Sequence, residues 1–201
     1  MSARTDQRQR ADLTAIGRWV REGSRVLDLG CGDGHLLSQL QRHKRVEGYG
    51  IDIDIDSVTH CVAAGINVIQ SDLERGLSGF GDQAFDYVIL SHTLQAMHNT
   101  EHIVREMLRV GREGIVSFPN FGYWRHRWQI LRGRMPVSDD LPYQWFDTPN
   151  IHLCTLRDFE LFCQQHGIRI LERLVLTDNT PISTAPNLFG ATALYRLDAL
   201  R

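Results

Sequence analysis

Apolar positions along this chain fall into short unbroken runs and into stripes at helical spacing, and the two kinds of stretch alternate. Leu13, Ile16, Trp19 and Val20 recur at helical spacing over residues 11–21, until Gly23 breaks the pattern. They predict a helix that either covers an edge of a sheet or closes over a cofactor. Val26 and Leu27 lead into a glycine turn, and Leu36, Leu37 and Leu40 repeat at helical spacing behind it. Glu47–Asp52 reads as a second strand, with Asp56 as the N-cap of the following helix and Gly65 as its end. Asn67–Gln70 reads as a short third strand. The apolar run at 85–90 is nearly continuous, as in a strand covered on both faces. Ile103, Met107 and Val110 stripe a helix over Thr100–Val110 that Gly111 stops, and residues 114–118 form a fifth strand ended by Pro119. Thr155 and Asp158 make a capping box ahead of a stripe of Leu156, Phe159 and Cys163, which Gly167 ends. Ile168–Thr177 and residues 191–197 follow with no helical stripe between them, so they should pair antiparallel.

Strands alternating with helices predict an α/β domain with a mostly parallel sheet. The expected count is seven strands, the last antiparallel, with helices on both faces. One domain spanning 1–201 is the simplest reading for this length.

The stretch Val26-Leu27-Asp28-Leu29-Gly30-Cys31-Gly32-Asp33-Gly34 carries the candidate chemistry. Glycines at alternate positions suit a turn where backbone must approach a ligand. The helix after it offers free N–H groups to a carboxylate or phosphate. A dinucleotide site calls for G-x-G-x-x-G. Here an acid precedes the first glycine and the spacing is Asp-x-Gly-x-Gly-x-Gly, similar to the first motif of class I S-adenosylmethionine (SAM) methyltransferases. Asp28 can help neutralise an ammonium group. Asp52 stands where such folds place an acceptor for ribose hydroxyls at the end of the second strand. Asp72, after the third strand, reads either as an acceptor for an adenine amino group or as a turn cap. Beyond the fourth strand, Ser91, His92, Thr93 and Gln95 are placed to line a pocket, because ligands of open α/β sheets sit past the carboxyl ends of strands. His92 reads either as a general base or as a lining residue. The candidate cofactor-binding set is Asp28, Gly30, Cys31, Gly32, Gly34, Asp52, Ile53, Asp72, Leu73 and Ser91. The candidate acceptor-orienting residues are His92, Gln95 and Tyr123.

Composition narrows the picture. A net charge of −2 supplies no global field for nucleic acid or an anionic membrane, and no apolar run approaches spanning length. The polar, arginine-bearing start at Met1–Arg10 has no apolar core of a secretory signal. Cys31, Cys61, Cys154 and Cys163 form no C-x-x-C pair, so a reducing cytoplasm is the expected compartment. His152, Cys154, Cys163 and His166 match no usual zinc spacing, and no metal is expected. Residues 118–146 stand apart. They hold eight of the 17 aromatics and, with Arg125, Arg127, Arg132 and Arg134, no acid from 114 to 138. An insertion of this kind at about 119–150 either covers the site or meets a partner, since Trp, Tyr and Arg dominate interface hot spots.

The motif above, Gly50-Ile51-Asp52, and above all Gly114-Ile115-Val116-Ser117-Phe118-Pro119-Asn120, Gly133-Arg134-Met135-Pro136, Leu141-Pro142-Tyr143, Trp145 and Asp147-Thr148-Pro149-Asn150-Ile151-His152-Leu153-Cys154-Thr155 resemble the bacterial methionine biosynthesis protein MetW family over residues 12–195. The resemblance implies a SAM-methyltransferase (Rossmann-like) fold. It also implies a role as an accessory subunit that binds and activates homoserine O-acyltransferase, the enzyme that acylates homoserine from succinyl- or acetyl-CoA. SAM or S-adenosylhomocysteine is the implied cofactor, and residues 118–146 are the expected partner surface. The alternative is a SAM-dependent small-molecule methyltransferase. Methyl transfer from a sulfonium needs mainly alignment, so it requires no conspicuous catalytic motif.

Overall fold

The structure, a computed structural model, describes residues 12–199. The N-terminal stretch Met1–Arg10 lies outside the described residues. Helix α1 occupies 12–19. The elements after it run β1 (Arg25–Leu29), α2 (His35–Lys44), β2 (Glu47–Asp52), α3 (Ile55–Ala63), β3 (Asn67–Gln70), β4 (Phe85–Ser91), α4 (Thr100–Val110), β5 (Gly111–Pro119), α5 (Trp124–Leu131), α6 (Leu156–Gln165), β6 (Ile168–Thr177), β7 (Thr180–Pro181), α7 (Pro186–Phe189) and β8 (Thr192–Ala199).

The strands form one sheet in the order β3-β2-β1-β4-β5-β8-β6-β7. Strands β1 to β5 pair in parallel, and β8 runs antiparallel between β5 and β6. The expected seven strands and reversed last strand are present. The eighth, β7, is a two-residue edge strand in the loop that carries Pro181. Pro181 cannot donate to a further strand, which helps the sheet end there.

Successive side chains of the central strand β4 turn to opposite cores, because both faces are covered. Val88 and Leu90 enter one core with Ile103, Val104 and Met107 of α4 and Phe159 of α6. Tyr87 and Ile89 enter the other, with Ile16 and Trp19 of α1 and Leu36, Leu37 and Leu40 of α2. The unbroken apolar run of β4 follows directly, since each successive side chain meets one core or the other.

Two boundaries differ from the sequence reading. The N-cap of α3 is Asp54, not Asp56: its carboxylate accepts from Ser57 N at 3.1 Å and Ser57 Oγ at 2.8 Å. The helix begins at Ile55, which leaves Asp56 in the first turn, where its charge favours the helix dipole. Strand β5 begins at Gly111 rather than 114, because Gly111 both closes α4 and pairs with Phe85. The capping box of Thr155 and Asp158 forms as read.

Candidate functional site

Beyond the carboxyl ends of β1 and β4 lies a cavity of about 540 Å3. The glycine turn forms one wall with Asp28, Gly30, Cys31 and Gly32, and the turn after β4 forms another with Ser91, His92 and Gln95. The insertion contributes Asp139, Asp140, Pro142, Tyr143 and Asn150, and α1 contributes Asp12. Among the described residues the lining holds six aspartates (Asp12, Asp28, Asp33, Asp139, Asp140 and Asp178) and no lysine or arginine. Among these lining residues a phosphate finds no cationic side chain.

Both Gly30 and Gly32 have left-handed backbones, with φ of +72° and +53°. A Cβ on Gly30 would lie 2.6 Å from Thr93 Oγ1, whereas one on Gly32 would meet nothing within 4 Å and would project into open space. The Gly32 turn therefore keeps clear a position where a ligand can touch backbone. Gly34 serves a different end, since a Cβ there would collide with Ile66 and Cys61.

Asp28 is 2% exposed. Burial first, and the Asp52 carboxylate second, push its pKa up to about 7. Asp52 itself braces the turn: one oxygen accepts from Gly32 N at 2.8 Å and the other from Asp54 N at 3.0 Å. The thiols of Cys31 and Cys61 lie 3.9 Å apart, and burial pushes both pKa values up.

His92 has φ of +52°, a conformation that costs a non-glycine residue about 1 kcal/mol or more. Its N–H donates to Ser117 O at 3.0 Å, and its Nε2 lies 2.8 Å from Asp12 Oδ2. A carboxylate only accepts, so the Asp12 contact places Nε2–H toward it and orients the ring. Nothing in the sequence signalled Asp12, which lies 80 positions from its partner; α1 packs on one core and brings its first turn to the cavity. Of the two uses read for this helix, covering the sheet is what its packing shows.

The remaining sequence-read residues lie elsewhere. Asp52, Ile53, Asp72 and Leu73 stand at the ends of β2 and β3, outside the main cavity's lining. Ile53 is 65% exposed, and Leu73 is in the core. Asp72 caps the short turn at Leu73–Arg75 by accepting from Glu74 N at 3.0 Å. Tyr123 is buried against the rings of Trp124 and His126 and does not line the main cavity.

A family model described as methionine biosynthesis protein MetW matches residues 10–197. The chain belongs to the MetW family. One relative of this chain is the bifunctional methionine biosynthesis protein MetXA/MetW of Rhodopirellula baltica, 38% identical over 173 residues. That match covers 81% of this chain but only 28% of the relative's length. Among solved structures, a SAM-dependent methyltransferase from Mesorhizobium loti superposes with a TM-score of 0.70 at 18% identity, covering 93% of this chain and 97% of that one. A chain of the complex between the Haloferax volcanii Trm112 methyltransferase activator and a methyltransferase superposes with a TM-score of 0.68 at 18% identity, covering 98% and 94%. The fold is therefore that of class I SAM methyltransferases, and family membership places the chain in methionine biosynthesis. No helix among the described residues is long and apolar enough to cross a membrane.

Proposed function

We propose that this MetW-family chain is an accessory subunit that binds and activates a homoserine O-acyltransferase, with SAM or S-adenosylhomocysteine held in the main cavity. The observation that carries the partner role is the fused relative, in which MetXA and MetW share one polypeptide. The insertion adds a physical argument, because α5 is turned inside out. Its buried residue is His126, while Trp124, Trp128, Ile130 and Leu131 are exposed. The polar groups fasten this segment from within. His126 Nδ1 lies 3.1 Å from Asn120 O and Nε2 lies 3.0 Å from Ser138 Oγ, and the Gln129 amide bonds Val137 through both N–H and C=O. Trp145 and Phe146 add rings that are 73% and 70% exposed. Arg132 stacks over Trp128 at 4.7 Å. An ordered apolar surface bearing arginines, with no acid from 114 to 138, suits a partner face that is apolar and acidic.

The cavity fits the proposed cofactor on three counts. Its lining is acidic, its glycine turn is open at Gly32, and Asp28 is a buried carboxylate for which a cation would supply the missing charge. Asp28, Gly30, Gly32 and Ser91 would hold the group, with Asp52 and Asp72 at the adjoining strand ends. When bound, SAM supplies a transferable methyl. The His92–Asp12 pair favours a second reading, a small-molecule methyltransferase in which His92 accepts the acceptor's proton.

Homoserine acylation by the purified acyltransferase, with and without this protein and without SAM, tests the first reading. The expected result is a rate increase that saturates with added protein. Unchanged rate with no co-elution refutes it, and labelled-methyl transfer to a cell-extract metabolite, lost in Asp52→Ala, would support the second. Sensing of SAM requires its affinity to change when the partner binds, because coupling is reciprocal.

A further inference from the structure

A second cavity, of about 290 Å3, lies between β5, α6 and the insertion. Its wall is apolar: Phe118, Phe159 and Phe162 with Leu141, Leu153 and Cys154. Four polar residues interrupt it: Gln95 from the turn after β4, Thr100 from the first turn of α4, and His152 and Asp158. Among the described residues only three buried side-chain polar atoms lack a hydrogen-bond partner, and two of them are Gln95 Oε1 and Thr100 Oγ1.

The orphaned oxygen of Gln95 is fixed in place. Its Nε2 donates to His92 O at 2.8 Å, which leaves Oε1 as an acceptor. Its backbone C=O accepts from Ile151 N at 2.8 Å and His152 N at 3.0 Å, so the residue is held from both ends. Buried acceptors are normally paired, and two unpaired groups on one apolar cavity require an explanation. An anionic ligand is disfavoured. No lysine or arginine lines the cavity, and the Asp158 carboxylate stands on its wall, one oxygen accepting from Thr155 N and Thr155 Oγ1.

We infer that this cavity binds a small neutral molecule with a flat apolar body and one N–H or O–H donor, the donor meeting Gln95 Oε1 or the Thr100 hydroxyl. The site does not depend on the occupant of the main cavity. Gln95 stands in the wall common to both, so the two sites are neighbours.

The test is a titration of the full chain with indole and with benzofuran, its counterpart of like shape without the donor, followed by 1H–15N NMR. Indole is expected to produce saturable shifts at the amides of Thr100, Cys154 and Phe159. Benzofuran is expected to bind roughly fivefold more weakly, the worth of one hydrogen bond. Gln95→Leu with Thr100→Val should erase that preference. Cys154→Phe, or Leu153→Phe at a half-exposed position should the first not fold, should abolish the shifts. Overturning results are no saturable shift with either probe, equal binding of the two by the wild type, or shifts confined to Asp28 and Ser91 in the main cavity.

Discussion

Asp28→Asn is the sharpest perturbation the site offers. The folded pKa of Asp28 is pushed up to about 7 from an ordinary 3.8, first by burial and then by Asp52. The folded state therefore binds the proton more tightly than the unfolded state. Stability is fully present below pH 4, falls as pH rises to 7, and is level above that. Roughly three pK units at 1.36 kcal/mol each put the loss at about 4 kcal/mol. Asn keeps the shape and removes the titration, so the variant should match the wild type near pH 4 and exceed it by up to about 4 kcal/mol at pH 8. Urea unfolding at pH 4, 6 and 8 measures the difference.

Ligand binding should move the other way. Ionised Asp28 is the partner for a cation, so SAM affinity should rise with pH through 7 in the wild type and stay flat and weaker in the variant. A stability difference that does not change between pH 4 and 8 would refute the assignment of the shift to Asp28. Undiminished SAM affinity of Asp28→Asn at pH 8 would refute its role toward the ligand.

Three further outcomes follow from named contacts. Thr155→Ala removes one half of the capping box with Asp158 and should cost about 1 kcal/mol in urea unfolding. Gly32→Ala places a Cβ in the open space of the turn at φ +53°; it should cost about 1–2 kcal/mol of stability, and calorimetry should show SAM affinity falling further than that strain predicts. Trp128→Ala with Trp145→Ala removes exposed rings, so the thermal unfolding midpoint should hold while activation of the acyltransferase falls at least about tenfold, as for an interface hot spot.

What the sequence made legible was whatever depends on neighbours along the chain. The run at 85–90 and the box at Thr155 and Asp158 are local patterns, and both form as read. The cap of α3 was misplaced because Asp52, Asp54 and Asp56 alternate, and only the start of the helix decides which of them precedes it. The site was half legible for the same reason. Asp28, Gly30, Cys31, Gly32, Ser91, His92 and Gln95 converge because two adjacent parallel strands end at one edge. Asp12, Asp139 and Asn150 reach the same cavity from helix and insertion, and no spacing encodes that approach. For Asp72 the open choice is answered in part: the carboxylate caps a turn with one oxygen.

The insertion joins the two halves of the functional reading. Its inner side supplies Asp139, Asp140, Pro142, Tyr143 and Asn150 to the main cavity, while Trp145 and Phe146 between them face solvent. Ile151 and His152 then donate to the backbone of Gln95, in the turn after β4 that also carries His92. A partner seated on the outer rings would press on a segment whose other side is the cavity wall. A ligand seated against that wall would in turn bear on the segment that presents the rings. Ordering of a shared segment couples two sites without any rearrangement of the sheet. On the proposed reading, coupling between cofactor and partner would run through this segment, since residues that line the cavity flank its exposed rings.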